Sequence, residues 1–321
     1  MSGAILRLAA AGALAGGTLA CAPGGESARE SRPATAGFCS NVPRSQHATL
    51  ERVEVADDWF EVYRVAPAVY AIYEPFQFQE VISYLILGEE GALLFDTGMG
   101  IGRIRTVVDE LTALPATVLN SHTHVHHVGG NADFERVLAM DTEFTRTHAR
   151  GRTNAEVRGE VAASALCRAL PAGITEDNYH TPAFEIAAFI QDGHRIDLGG
   201  RTLEVIAVPG HAPDAIALLD REAGFLWTGD SFYEGPIWLF APETDLEAYR
   251  SSVARLAELV PELTALFTGH STPVAPPSRL LELHDAVEAM FEGIAIGNPL
   301  PGGGVEFVFE GFTIVLRRDQ L

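Results

Sequence analysis

Lysine is missing from this 321-residue sequence, and every basic side chain is arginine. That absence excludes Schiff-base chemistry and any lysine clamp on a substrate carboxylate. Positive charge is scarce in general: 22 basic against 43 acidic residues leave a net charge of −21. Such a balance argues against electrostatic binding of nucleic acid or of an anionic membrane surface. Cysteine is limited to positions 21, 39 and 167. No short solenoid repeat and no second linker interrupts the chain, so one domain is expected at a length that also allows two. Hydrophobic residues at 47 % and charged residues at 20 % are those of an ordinary soluble globular protein.

The first 21 residues, "MSGAILRLAAAGALAGGTLAC", carry one positive charge at Arg7, then small apolar residues, then Cys21. The stretch is short for a membrane span and reads as a secretory signal. "TLAC" resembles the lipobox of bacterial lipoproteins, with Thr18 where leucine is usual. Either Cys21 becomes a lipid anchor or the signal is cleaved without lipidation. The expected location is periplasmic or outer-surface in both cases. In that oxidising compartment Cys39 and Cys167 form an even pair, as a disulfide or as two buried thiols. Residues 22–38, rich in Ala, Gly, Ser and Pro without apolar periodicity, read as a linker.

From residue 39 to 321 one domain is expected. "FEVYRVA", "AVYAIYE", "VISYLILG" and "ALLFDTG" follow in quick succession as strands, with "GEEG" at 88–91 turning between the last two. A helix is predicted over "IGRIRTVVDELTAL", then a strand "ATVLN". Residues 142–170 read as mostly helical, within an insert over about 142–190 that would cover the site. "HRIDLGGRTLEVIAVPGH" reads as a hairpin, and "AIALLD" and "GFLWTGD" as a further strand pair. "DLEAYRSSVARLAELV" is an amphipathic helix with Asp245 at its N-cap. "ALFTGH", a helix near 277–294 and a terminal hairpin in "GVEFVFEGFTIVLRR" complete the chain.

Five polar positions share one context, the C-terminal end of an apolar strand. Asp96 follows "ALLF", His122 follows "TVLNS", His211 follows "VIAVPG", Asp230 follows "FLWTG" and His270 follows "LFTG". Strand ends hold side chains rigidly while the loops leave room for a ligand. Residues 119–131, "LNSHTHVHHVGGN", add His124, His126 and His127 to the set. Neutral imidazoles and carboxylates suit zinc or a similar borderline ion, and His122 and His124 at i, i+2 face the same way on an extended segment. His47, His148, His194 and His284 stand apart from these motifs and read as surface residues.

"FDTG", "SHTHVHHVGGN", "VPGH", "WTGD" and "TGH", in this order over about residues 52–295, resemble the metallo-β-lactamase superfamily, and within it the glyoxalase II-like and lactonase-like hydrolases. The resemblance implies an α/β fold, the αβ/βα four-layer sandwich, with a dinuclear metal site at one edge. By motif, His122, His124 and His211 would hold one ion and His127 and His270 the other. Asp230 would bridge both, and Asp96 would orient the ligands from behind. The family pattern is HxHxDH, and this chain has His126 where the aspartate stands. His126 is then a nitrogen ligand of the second ion, an acid/base group standing off it, or a residue that points away and leaves a single-metal or inactive site.

The implied reaction is zinc-dependent hydrolysis of a small carbonyl substrate, an ester, lactone, thioester or amide, by one or two Zn2+ ions. Bound water with a pKa near 7 would attack, Asp230 would place the ions and His126 would shuttle the proton. Tyr233 would offer its hydroxyl to the oxyanion. Phe76, Phe78, Phe232 and Trp238 are candidates to flank the cleft, and Tyr179 and His180 to reach it from the insert. Three alternatives stay open: an exported β-lactamase, a single-iron oxidoreductase of the same superfamily, and a metal-binding protein without turnover.

Overall fold

The computed structural model describes residues 38–42 and 44–320, all within one unit spanning Arg32–Leu321. The signal segment, Cys21 and the linker through residue 37 lie outside the described residues. The first sheet is built from β1 (Glu51–Val53), β2 (Glu61–Ala66), β3 (Val69–Tyr73), β4 (Ile82–Leu87) and β5 (Ala92–Phe95), followed by helix α1 (Ile104–Leu111), β6 (Ala116–Leu119), the short helix α2 (Val125–Val128) and β7 (Val137–Met140). Short helices α3 (Glu143–His148) and α4 (Asn154–Val157) precede its last strand, β8 (Ala188–Ile190). The eight strands lie in sequence order, antiparallel as far as β5 and parallel from there. The "GEEG" turn closes with Gly88 N donating to the Gly91 carbonyl, 2.9 Å.

The second half forms β9 (Arg195–Asp197), β10 (Thr202–Ala207), β11 (Ile216–Asp220), β12 (Phe225–Gly229), β13 (Pro236–Leu239), α5 (Leu246–Glu258), β14 (Ala265–Thr268), α6 (Arg279–Phe291), β15 (Asn298–Pro299), β16 (Gly304–Val308) and β17 (Thr313–Arg317). A five-stranded sheet runs β14-β12-β11-β10-β9, and a four-stranded one runs β13-β17-β16-β15. Asp245 caps α5 as its sequence position predicts, its side chain accepting from Ala248 N at 2.9 Å. The terminal hairpin β16–β17 forms and recruits β13 as a parallel neighbour. That long-range pairing has no local signal, and "PIWL" reads equally as a loop.

Alternating apolar residues on the two large sheets face each other. Tyr84, Ile86, Leu93 and Phe95 from one meet Leu203, Val205, Leu218, Trp227 and Phe267 from the other. Helix α1 covers the outer face of the first sheet, while α5, α6 and the small sheet cover that of the second. This is the four-layer αβ/βα sandwich. Trp227 is fully buried and stacks on Phe267 at 5.0 Å, so Trp227→Ala would cost about 3–5 kcal/mol.

The segment 142–190 departs from its helical reading. It contains two short α-helices and two single 3-10 turns, then irregular chain into β8. Pro171 and Pro182, and the turn around Gly173, break any longer helix. Cys39 and Cys167 form a disulfide with Cα atoms 5.4 Å apart, which ties the segment to the N-terminal residues. Among the described residues no helix is long and apolar enough to cross a membrane.

Candidate metal centre

Asp96 and His122 follow β5 and β6 of the first sheet, whereas His211, Asp230 and His270 follow β10, β12 and β14 of the second. All five therefore emerge at one edge of the sandwich. Backbone hydrogen bonds tie the two sheets together there: Ile82 N donates to Gly269 O at 2.8 Å and Ile216 N to Ser121 O at 2.7 Å. The approach is close enough to require glycine. A Cβ on Gly229, whose φ is +50°, would lie 2.5 Å from Ser121 Cβ, and one on Gly129 would lie 2.2 Å from the Met99 carbonyl carbon. Asp96 itself is left-handed at φ 68°, an uncommon conformation for a residue with a side chain. Its carboxylate offsets that strain by accepting from Ser121 N at 2.7 Å and Ser121 Oγ at 2.8 Å.

The side chains converge as two groups. In the first, His124 Nδ1 lies 2.9 Å from His122 Nε2 and 3.0 Å from His211 Nε2. In the second, His127 Nε2 and His270 Nε2 lie 3.3 and 2.9 Å from Asp230 Oδ1. Asp230 Oδ2 turns the other way, 3.5 Å from His211 Nε2 and 4.0 Å from His122 Nε2. A tetrahedral ion with bonds of about 2.0–2.1 Å sets its ligand atoms about 3.3 Å apart, so both groups have the dimensions of a metal cage.

The other nitrogen of each of these five imidazoles is already taken. His124 Nε2 meets Glu243 Oε1 at 2.7 Å, His127 Nδ1 meets Asp96 Oδ2 at 2.9 Å, His211 Nδ1 meets Trp238 O at 2.8 Å and His270 Nδ1 meets Gln79 O at 2.6 Å. Ser121 Oγ, which donates to Asp96, accepts from His122 Nδ1 at 3.0 Å. Carboxylate and carbonyl oxygens only accept, so each ring keeps its N–H outward and turns a lone pair inward. The inward atoms His127 Nε2, His270 Nε2 and Asp230 Oδ1 are buried with no hydrogen-bond partner. Leaving such atoms unsatisfied costs about 1–3 kcal/mol each, and a cation between them removes that cost. The residues present fit a metal.

Electrostatics agree. Burial pushes His122 and His126 well below the ordinary histidine range and His211 down to about 4, so these rings are neutral donors. Burial would raise the Asp230 carboxyl, but His270 and His127 outweigh it and hold the group ionised. Burial also opposes charge on His127, yet Asp96 and Asp230 push it up to about 10.

Residues 80–270 match the Metallo-beta-lactamase superfamily. The chain belongs to that superfamily. Among curated relatives, the acyl-coenzyme A thioesterase MBLAC2 of Bos taurus is 30 % identical over 189 residues, covering 55 % of this chain and 67 % of the relative. A hydroxyacylglutathione hydrolase of Chromohalobacter salexigens is 37 % identical over 106 residues, 33 % of this chain and 40 % of the relative. Among solved structures, a metallo-beta-lactamase family protein from Thermus thermophilus superposes with a TM-score of 0.52 at 24 % identity, over 72 % of this chain and 82 % of that one. At that identity the likeness speaks to the fold alone.

His126 is where the chain departs from its superfamily's HxHxDH pattern. Its Nε2 is 3.8 Å from Asp230 Oδ2, within the group formed by His122, His127 and Asp230. Its side chain is 12 % exposed, and that of His124 16 %, while the other five ligand candidates are at most 5 % exposed. Among the described residues no oxygen receives its Nδ1, unlike the other five histidines.

Several expected residues lie elsewhere. The Tyr233 hydroxyl donates to the Pro236 carbonyl rather than toward the ligand groups, and its ring packs on His270 at 4.7 Å. Tyr179 is buried and donates to the Met99 carbonyl at 2.7 Å, while His180 is exposed, its Nδ1 3.0 Å from Asn178 O. Phe232 is core, packed on Phe312, and Phe76 packs on Trp59 under Arg168. Trp238 and Phe78 are half-buried. His194 is exposed and His284 half-buried, but His47 and His148 are not surface residues. His47 Nε2 meets Ser271 O at 2.8 Å between Tyr63 and Tyr73, and His148 packs on Phe144 at 3.9 Å. Sequence reading missed Glu243 and Ser121. Ser121 adjoins the histidine cluster and was legible as a small hydroxyl beside it, whereas Glu243 lies 119 residues from His124 with nothing to mark it.

Proposed function

We propose that this chain is a metal-dependent hydrolase of carbonyl substrates, with thioesters as the leading class and zinc as the ion in two adjoining sites. The observation that carries this is Asp230, whose two oxygens face two separate histidine groups with lone pairs turned inward. His122, His124 and His211 would hold one ion, and His127 and His270 the other, with Asp230 between them. When bound, such ions polarise the substrate carbonyl and make a water acidic enough to attack near neutral pH. The thioester class is supported by the relatives named acyl-coenzyme A thioesterase and hydroxyacylglutathione hydrolase. An exported location, with or without a lipid on Cys21, belongs to the same reading and is supported by the Cys39–Cys167 disulfide.

The residues divide the remaining work. Asp96, Ser121 and Glu243 fix the ring orientations from behind. Burial of the Asp230 carboxylate keeps bulk water from competing for the ligands. His126 stands at the mouth, above Asp230, with one ring nitrogen unclaimed by protein. We assign it the transfer of the proton to the leaving group rather than a ligand position, since metal-binding histidines almost always donate their outer N–H to an acceptor. The second reading, His126 as a nitrogen donor to the second ion, is favoured by its place in the His122, His127, Asp230 group.

The test is hydrolysis of a thioester, a lactone and a β-lactam by metal-loaded and chelator-treated protein, with metals counted per chain. Two zinc ions and metal-dependent thioester cleavage are expected. Equal rates with and without metal overturn the proposal, and bound iron with oxygen consumption replaces it by oxidation.

A further inference from the structure

Resting on the hydrolase reading, we propose that the acyl group reaches this site on a carrier without phosphates, an uncharged or cationic thiol or alcohol, rather than on a polyanionic one. A phosphorylated carrier holds its charge far from the scissile carbonyl, at the other end of a long arm. That charge meets the rim of the site and the surface beyond, not the metal ligands. The rim is therefore where carriers are told apart.

The rim of this site is acidic. Its open side is marked by His124 and His126, the two ligand candidates with the most exposed side chains. Over His124 lie Phe144, with ring centroids 5.5 Å apart, and the carboxylate of Glu243, whose side chain is 24 % exposed. On the His270 side Glu234, also 24 % exposed, accepts from Thr272 Oγ1 at 3.2 Å. An apolar ring and the Glu243 carboxylate at His124, with Glu234 paired to Arg279 on the His270 side, suit an acyl chain with a neutral or positive leaving group.

Four arginines near these loops are already bound. Arg279 is nearly buried and pairs with Glu234 and Glu282. Arg317 donates to the carbonyls of Phe240 and Ala241 and pairs with Asp319. Arg44 forms a two-pronged pair with Glu80, and Arg152 pairs with Glu156. Recognition of phosphate needs free guanidinium forks, ammonium groups or a helix N-terminus aimed at the ligand. This chain has no lysine at all, and a net charge of −21 repels a polyanion before contact. The His126 substitution does not reverse this. It removes one negative charge beside Asp230, where the carbonyl and not the distant phosphates would sit.

The experiment compares three thioesters of one acyl chain on the metal-loaded protein: with N-acetylcysteamine, with a trimethylammonium thiol such as thiocholine, and with coenzyme A. The proposal expects kcat/KM for the coenzyme A thioester to be at or below that of the neutral one, and the cationic one to equal or exceed both. Raising salt from about 20 to about 200 mM should raise the coenzyme A rate, lower the cationic rate and leave the neutral one level, as screening of the rim requires. A KM for the coenzyme A thioester tenfold or more below the neutral analogue, with a rate that falls with salt, overturns it. Cleavage of none of the three by metal-loaded protein is the separate failure of the hydrolase reading.

Discussion

Asp230 Oδ2 lies 3.8 Å from His126 Nε2, and the opposite nitrogen of that ring is held by no protein oxygen among the described residues. A ligand is normally anchored on its outer side, whereas a proton carrier must turn and exchange with solvent. His126→Ala should therefore leave both metal affinities within about threefold while lowering kcat/KM about 100-fold and flattening one limb of the pH–rate profile. Titration with Co2+ followed by absorbance reads the first quantity and steady-state kinetics the second. A loss of second-site affinity of about 100-fold would make His126 a ligand instead.

Asp230 is the one carboxylate among the described residues that faces both histidine groups, so its charge serves both ions. Asp230→Asn keeps the shape and removes the charge. Metal content should fall in both sites, with affinity lowered by more than about 100-fold, and thioester cleavage should fall with it. Loss confined to one site, seen as one ion retained per chain, would contradict the shared placement.

The hydroxyl of Tyr233 is occupied by the Pro236 carbonyl, which leaves it no role toward an oxyanion. Tyr233→Phe should change kcat/KM by less than about threefold and cost about 1 kcal/mol of stability, the worth of one buried hydrogen bond. Denaturant unfolding and kinetics on the same preparation separate the two effects.

The motif order carried most of the fold and of the site into view. Each of the five strand-end residues follows an apolar run, and a turn glycine stands directly before His211, Asp230 and His270 and two residues after Asp96. The geometry confirms why, since β5, β6, β10, β12 and β14 all end at the same edge. What stayed hidden is what no local cue encodes. Glu243 reaches His124 across the sandwich, β13 finds β17 near the far end of the chain, and His47 is buried by Tyr63 and Tyr73 rather than by its neighbours. Tyr233 shows the converse. A residue type suited to the chemistry stood one turn from the site, and only the direction of its hydroxyl ruled it out.

Glu74 lies beneath the Asp96 loop, fully buried, with one oxygen accepting from Trp59 Nε1 at 2.7 Å and the other from Met99 N at 2.8 Å. Burial raises its carboxyl from 4.5 to about 7, more than these two donors lower it. The folded chain thus keeps this proton up to about pH 7, while the unfolded chain releases it near pH 4.5. Within that window the folded state binds the more protons, so this group's contribution to stability falls as pH rises and is level above it. The full change is about 3 kcal/mol, and Glu74→Gln, which cannot ionise, should abolish it. The quantity to measure is the difference in unfolding free energy between wild type and Glu74→Gln at a series of pH values from about 4.5 to about 8. That subtraction cancels every titrating group not coupled to Glu74, and leaves the coupling of Glu74 to Asp57 and His127. The variant should gain on the wild type steadily up to about pH 7, and parallel curves across the window would show that Glu74 is ionised in the fold from the start.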